Sequence, residues 1–203
     1  MRRVVLTGGP CSGKTTVQRV LREAFTNRLI HVPEAATILL EGGFPAPGTT
    51  RPWTEAWQSS FQRAVLALQY SLEDIHATTD EQIDLIVCDR GVLDGAAYTP
   101  GGRIEFGKRF NVDLQDAMRR YDVVIHLESL ATADPRHYGR SNNEHRFESL
   151  EQAQSLEHAI RDAWEGHPHT LFVDGNSGVD GKVATVCRFI REFLADESND
   201  ASV

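Results

Sequence analysis

Gly8-Gly9-Pro10-Cys11-Ser12-Gly13-Lys14-Thr15 decides how the rest of this 203-residue sequence is read. The octapeptide meets every fixed position of the pattern GxxxxGK[ST]. Ringing an anion with backbone N–H groups bends the chain beyond the range open to most side chains, so glycines stand at the bends. A helix opening at Gly13 aims the positive end of its dipole at the same anion. Lys14 adds a full positive charge, and the Thr15 hydroxyl is placed for a Mg²⁺ ion that shields the phosphates. The expected nucleotide-binding stretch is Gly8, Gly9, Pro10, Cys11, Ser12, Gly13, Lys14, Thr15 and Thr16. The setting supports it: an apolar run precedes the loop as a strand, and a helical pattern from Gly13 to about Asn27 follows.

Outward from this loop, short β-branched runs alternate with helix-period segments, the pattern of an α/β protein with a parallel sheet. Strands are expected at Arg3–Thr7, Leu29–Pro33, Asp84–Asp89, Asp122–Leu127 and Thr170–Asp174. Few charges interrupt them, as befits a sheet covered by helices on both faces. Between Thr54 and Thr78, Trp57, Phe61, Ala64, Val65, Leu68 and Leu72 fall on one helical face. Ser149 stands three residues before Gln152, a capping-box start for a helix from about Leu150 to Glu165, which Gly166 and Pro168 stop. A last helix is expected over Lys182–Ala195, followed by an acidic, flexible tail at 196–203. Gly42–Pro52 and Ser129–Glu144 fit neither period, and long loops in compact domains commonly carry function.

Leu85-Ile86-Val87-Cys88-Asp89 is an apolar strand ending in a carboxylate. There Asp89 would stand beside the phosphate loop, where open α/β sheets bind ligands. It is expected to hold Mg²⁺, directly or through water; capping the next turn is the plain alternative. Arg90 follows at once, placed either to face a transferring phosphate or to pair with a carboxylate such as Asp94.

Hydrophobic residues make up 40% and charged residues 25% of the sequence, ordinary for a globular protein, and the length suits one domain over 1–195. The net charge of −8 argues against sequence-independent binding to nucleic acid, which needs a basic surface to displace counterions. Cys11, Cys88 and Cys187 lack zinc-type spacing and are odd in number, so reduced thiols are expected. Val4-Val5-Leu6 is too short for a signal-peptide core, and no stretch approaches the ~20 apolar residues of a membrane span. These features suggest a soluble, cytoplasmic protein.

Further residues extend the pattern: Glu34-Ala35-Ala36 after the second strand, Phe61-Gln62 on the long helix, and Asp89-Arg90-Gly91 with Asp94 and Tyr98. His126-Leu127-Glu128-Ser129 and Arg146 with Glu148 complete it. With the loop Gly8–Thr15, and from Arg3 to about Ile190, the sequence resembles the AAA-type P-loop ATPase family of the NadR/TRPL-translocation-defect group. That group is similar to the nicotinamide-riboside, thymidylate and deoxynucleoside kinases. The resemblance implies a three-layer αβα fold with a five-stranded parallel sheet, ATP or GTP with Mg²⁺, and a mobile arginine-bearing lid over about 130–146. Of Arg136, Arg140 and Arg146 in that lid, Arg140 and Arg146 are favoured to face the transferring phosphoryl group. The resemblance also implies that Glu34 accepts the proton of an attacking hydroxyl or holds the acceptor. An acid favoured by a helix N-terminus is the alternative. Asp174-Gly175-Asn176-Ser177-Gly178 would border the purine, or form a simple turn.

The expected catalytic set is therefore Lys14, Glu34, Asp89, Arg90, Arg140 and Arg146, with Thr15 and Asp89 as metal ligands. Glu34, Trp53, Gln62, Arg90 and Asp94 are expected at the acceptor, whereas Trp57 and Phe61 are assigned to core packing. Gln58, Arg63 and Gln69 are read as a solvated helix face. Two functions stay open. One is Mg²⁺-dependent phosphoryl transfer from ATP or GTP to a small molecule of nucleoside or nucleotide type. The other is a nucleotide-gated regulatory protein with slow hydrolysis and a protein or phospholipid partner. A hexameric motor fits poorly, because the chain is short for a motor module with its helical subdomain. Lys14→Ala should lower nucleotide turnover by roughly 100-fold or more, the scale for losing a transition-state charge donor. Wild-type turnover with Mg²⁺ in that variant would overturn the reading of the loop.

Overall fold

Alternation along the strand β1 (Arg2–Thr7) sets up two cores: Val4 and Leu6 belong to one and Val5 to the other, all three fully buried. A strand apolar on both sides fits only the middle of a covered sheet. The computed structural model, which describes residues 1–47, 52–78, 83–138 and 149–200, has that arrangement. β2 (Leu29–Val32), β3 (Leu85–Asp89), β4 (Val123–Leu127) and β5 (Thr170–Val173) complete a five-stranded sheet in the order β2-β3-β1-β4-β5. Every pairing is parallel. All five strands read from the sequence are present, with ends within two residues of those expected.

Helices α1 (Lys14–Ala24) and α8 (Gly178–Asp200) cover one face, where Val17, Leu21, Val186 and Ile190 pack on Val4 and Leu6. The opposite face carries Val5, Ile86, Cys88 and Val124. Against it pack a 3₁₀ segment at Val92–Tyr98, Phe106 of α4 (Gly102–Phe110), α5 (Leu114–Arg119) and α7 (Leu150–Ala163). α2 (Ala35–Glu41) leads away from β2, and α3 (Glu55–Ala77) follows it. The result is the expected three-layer α/β architecture with helices on both sides of the sheet.

Helix ends follow local chemistry. Thr54 caps α3 by accepting from the Trp57 amide at 3.1 Å. Ser149 and Gln152 form the expected reciprocal box at α7, at 3.2 and 2.8 Å. Elsewhere the sequence reading is revised. The last helix starts at Gly178 rather than Lys182 and continues to Asp200. The region after β3 folds as the 3₁₀ segment and two short helices, none of which has a long enough apolar period to announce itself. The Ser129–Glu144 stretch holds α6 (Leu130–Ala133) and a 3₁₀ turn at Pro135–His137. Arg140 and Arg146, the two favoured lid arginines, lie outside the described residues, as do 48–51 of the Gly42–Pro52 stretch. No helix among the described residues is long and apolar enough to cross a membrane.

β1 connects toward β2 on one side while its neighbour β4 connects toward β5 on the other, and this divergence opens a crevice at the carboxyl ends of these strands. One edge of that crevice is held by a buried polar cluster on α3. The fully buried Glu73 carboxylate pairs with Arg3 at 3.2 Å and Arg120 at 3.1 Å, and accepts from the Tyr121 hydroxyl at 2.6 Å and Gln69 at 2.8 Å. Gln69 is therefore buried rather than solvated. Glu73→Ala would strand the Arg3 guanidinium and the Tyr121 phenol, leaving Arg120 only Asp74 at 2.7 Å, and should cost about 3–5 kcal/mol of stability in urea unfolding. A loss below about 1 kcal/mol, the range of exposed pairs, would refute this account.

Candidate active site

The phosphate loop runs between β1 and α1, and its bends need the residues found there. Gly8 and Gly13 have φ of 136° and 91°, and a Cβ on Gly8 would stand 2.1 Å from the Leu127 carbonyl oxygen. Several groups brace the loop from outside. The Ser129 hydroxyl donates to the Pro10 carbonyl, and Lys182 donates to the carbonyls of Ser12, at 3.0 Å, and Glu128. Glu157 of α7 accepts from the Gly9 amide at 2.6 Å, while its other oxygen lies 2.7 Å from His126 Nε2. Burial pushes the Glu157 carboxyl up, but the His126 contact and the Gly9 and Ser129 amides outweigh it and hold the pKa low. The turn at Asp174–Gly178 is tied in as the Gly175 amide donates to Glu128 at 2.7 Å.

Lys14 Nζ folds over the loop and donates to the Gly8 carbonyl at 2.9 Å and the Ser12 hydroxyl at 3.2 Å. Burial and the Arg90 charge together outweigh the pull of Asp89, Glu34 and Asp94 and lower its pKa to about 8. Asp89 ends β3 beside β1, in register with Leu6. Burial pushes its carboxyl up; Lys14 opposes this and Glu34 adds to it. One of its oxygens, Oδ1, is buried with no hydrogen-bond partner. The Thr15 residue is exposed in the first turn of α1.

Arg90 adopts a left-handed backbone, φ 67°, which costs a non-glycine residue about 1–2 kcal/mol. Its amide donates to the Leu6 carbonyl at 3.1 Å, and its carbonyl accepts from Gln69 at 3.2 Å. The bend turns the guanidinium back between two carboxylates: Nε meets Glu34 at 2.5 Å and a terminal nitrogen meets Asp94 at 3.2 Å. Burial opposes the Arg90 charge, but Tyr98, Glu34 and Asp94 outweigh it. Glu34 is correspondingly held below the usual carboxylate range: burial raises it, and Arg90, the Thr37 hydroxyl and Lys14 more than compensate. Of the sequence alternatives for Arg90, the pairing with Asp94 is present, and Glu34 joins it.

Asp94, placed at the acceptor by the sequence, is buried. One oxygen accepts from the Thr7 hydroxyl at 2.5 Å as well as from Arg90. The other takes the Gly91 amide at 2.9 Å and the Trp164 indole at 3.1 Å. With every lone pair engaged, it positions Arg90.

Beside this pair opens a cavity of about 690 Å³. Glu34, Arg90, Gln62 and Trp53, all expected at the acceptor, line it. So do Trp57 and Phe61, which the sequence assigned to the core. Their rings stack at 4.9 Å between centroids, and Phe44 packs against both. Gln58 also lines it, its amide oxygen accepting from the exposed Trp53 indole at 3.1 Å. Arg63 remains on the exposed face of α3. Glu157 and Lys182 are the loop-bracing residues that sequence reasoning missed. The signal for Glu157 was present, since it interrupts the buried stripe Ala153, Ile160 and Ala163 of α7.

The Lys14 ammonium gives the site a pH signature. Below pH 8 the charge is present; above it the free protein loses the proton, while a bound polyphosphate keeps it on. Metal-free nucleotide affinity should thus fall as pH rises from 8 toward 9.5, by up to about tenfold per pH unit. Titrations in chelator at pH 7, 8 and 9 would read this, and a flat profile would contradict it.

The fold is similar to that of thymidylate kinase from Candida albicans, with a TM-score of 0.64 and 14% identity over 94% of this chain and 91% of that one. No curated protein sequence matches the chain significantly. The profile of the AAA domain family matches residues 3–180, taking in the phosphate loop, Glu34, Asp89, Arg90 and the α7 brace. The chain accordingly belongs to this AAA domain family of P-loop nucleoside-triphosphatases.

Proposed function

We propose that the protein is a phosphotransferase that moves the γ-phosphoryl group of ATP or GTP to a hydroxyl of a small molecule. The observation that carries this reading is the walled cavity with the Glu34–Arg90 pair on its lining. A protein that only hydrolysed nucleotide would have no use for a second, largely apolar cavity at that point.

Lys14 and the loop amides would hold the phosphates. The orphaned Asp89 oxygen and the Thr15 hydroxyl fit a hard cation with oxygen ligands, and Mg²⁺ there would neutralise part of the phosphate charge. In the transfer, the acceptor oxygen bonds to the γ-phosphorus as the bond to the β–γ bridging oxygen breaks, its electron pair leaving with the nucleoside diphosphate. The hydroxyl proton passes to Glu34. A carboxylate held below its usual range is a weak base, which suits a loose transition state where orienting the hydroxyl matters more than early deprotonation. Arg90 keeps Glu34 ionised and offers its charge to the transferring group. Arg140 and Arg146 are assigned to that group through the family resemblance.

Release of ADP or GDP with Mg²⁺, measured across nucleosides, nucleotides, sugars and inositol compounds, tests the proposal, with Lys14→Ala as the blank. One class should raise release well above the acceptor-free rate. Glu34→Gln should then lower kcat by roughly 10²–10⁴-fold at similar nucleotide KM. An identical slow rate with every acceptor would favour the nucleotide-gated switch instead.

A further inference from the structure

We infer that the acceptor is an uncharged, ring-bearing alcohol of nucleoside type and not a phosphate ester. This rests on the phosphotransferase reading of the same site and adds the ligand class.

Charge argues first. Among the described residues that line the cavity, Arg90 is the one cation, and Glu34 and Asp94 both hold it. Lys14 is committed to the phosphate loop. An acceptor phosphate would enter as a dianion toward two ionised carboxylates. It would have to part Arg90 from Glu34, leaving a half-buried carboxylate with only the Thr37 hydroxyl, at 2.6 Å, to meet its charge. A neutral hydroxyl meets the opposite situation, because it donates to Glu34 without disturbing the pair.

The walls argue second. Trp57 and Phe61 stack at an interplanar angle of 16°, and Tyr98 and Phe106 also line the cavity. The Trp57 and Phe61 rings stack on one another, and the aromatic wall they form would leave the hydroxyls of a polyol such as inositol or a sugar unpaired, whereas a flat unsaturated ring can lie against it.

Gln62 argues third. Its side chain is buried to 5% exposure in the cavity wall, and it makes no hydrogen bond with another described residue. The neighbouring amides are already engaged: Gln58 accepts from Trp53, and Gln69 donates to Glu73 and the Arg90 carbonyl. The Gln62 amide faces the cavity and is not sealed from it, so a ligand that displaces solvent there has to offer a donor and an acceptor side by side. A nucleobase edge, or a carboxamide on a heterocycle, does so; a purely apolar alcohol does not.

The test uses the full chain and two readouts. Trp53 and Trp57 line the cavity, so intrinsic tryptophan fluorescence reports binding without turnover. Nucleosides and their 5′-monophosphates are titrated in parallel, and each is then assayed for acceptor-dependent ADP or GDP release. At least one nucleoside should bind saturably and tenfold or more tighter than its monophosphate. Gln62→Leu should raise its KM roughly 3–10-fold with kcat little changed, as loss of one neutral hydrogen bond predicts. Glu34→Gln, by removing one of the two carboxylate charges that meet Arg90, should narrow the gap between nucleoside and monophosphate, a change that mere structural damage would not produce. Monophosphates binding more tightly than nucleosides would overturn the inference, as would no saturable nucleoside binding up to about 10 mM. Saturable nucleoside binding without acceptor-dependent release would uphold the ligand class and sink the phosphotransferase reading. Release driven by phosphate esters alone would do the reverse.

Discussion

Four donors converge on the buried carboxylate of Asp94, and the geometry of the crevice hangs on that convergence. Thr7, the residue before the phosphate loop, donates to it from the end of β1. The Gly91 amide and Arg90 side chain come from the exit of β3, and the Trp164 indole comes from the end of α7. One anion thus fixes the relative positions of the loop, the arginine and the helix whose Glu157 holds Gly9. A charge buried this deeply persists only when its hydrogen-bonding capacity is filled. Gly91 is part of the same constraint: a Cβ there would come within 2.7 Å of Val5 and 2.8 Å of Trp164.

What could be read in the sequence was whatever depends on backbone periodicity and on rigidly spaced motifs. The five strands stood out because burial on both faces demands unbroken apolar runs, and the phosphate loop because its bends exclude most residues. The interior polar groups were hidden for an equally physical reason. Gln69 and Glu73 sit four residues apart on α3, a spacing that on any helix reads as a solvent-facing pair. Their partners, Arg3, Arg120 and Tyr121, come from distant segments. Trp57 and Phe61 show the converse limit. An apolar stripe announces that a face avoids water, and it cannot say whether side chains or a ligand cavity will meet that face.

Arg90 joins these constraints at one residue. Its identity and place after Asp89 were legible, yet its left-handed backbone was not, because arginine carries no preference for that region. The conformation is held by tertiary contacts at both ends of the residue, from Leu6 and from Gln69. Strain of this kind survives where surrounding structure over-determines it, and here it delivers the guanidinium to Glu34. The buried cluster on α3 therefore reaches the site through Gln69, which bonds Glu73 on one side and Arg90 on the other.

The shifts at Lys14 and Asp89 run in opposite directions. Burial is the leading cause of both: with Arg90 it brings the amine down to about 8, and with Glu34 it lifts the carboxyl, so each charged form is disfavoured relative to water. At neutral pH both groups are charged in the unfolded chain, so both shifts subtract from folding stability there. The sign is opposite to that of a salt bridge built for stability, in which the amine rises and the carboxyl falls. A polyphosphate against Lys14 and a divalent cation against the orphaned Asp89 oxygen would reverse both shifts together. The site is thus destabilised at the two positions where, in the proposed function, nucleotide and metal would bring the compensating charge. Ligand binding would return that free energy to the fold, and it would do so most fully when the two arrive as a complex.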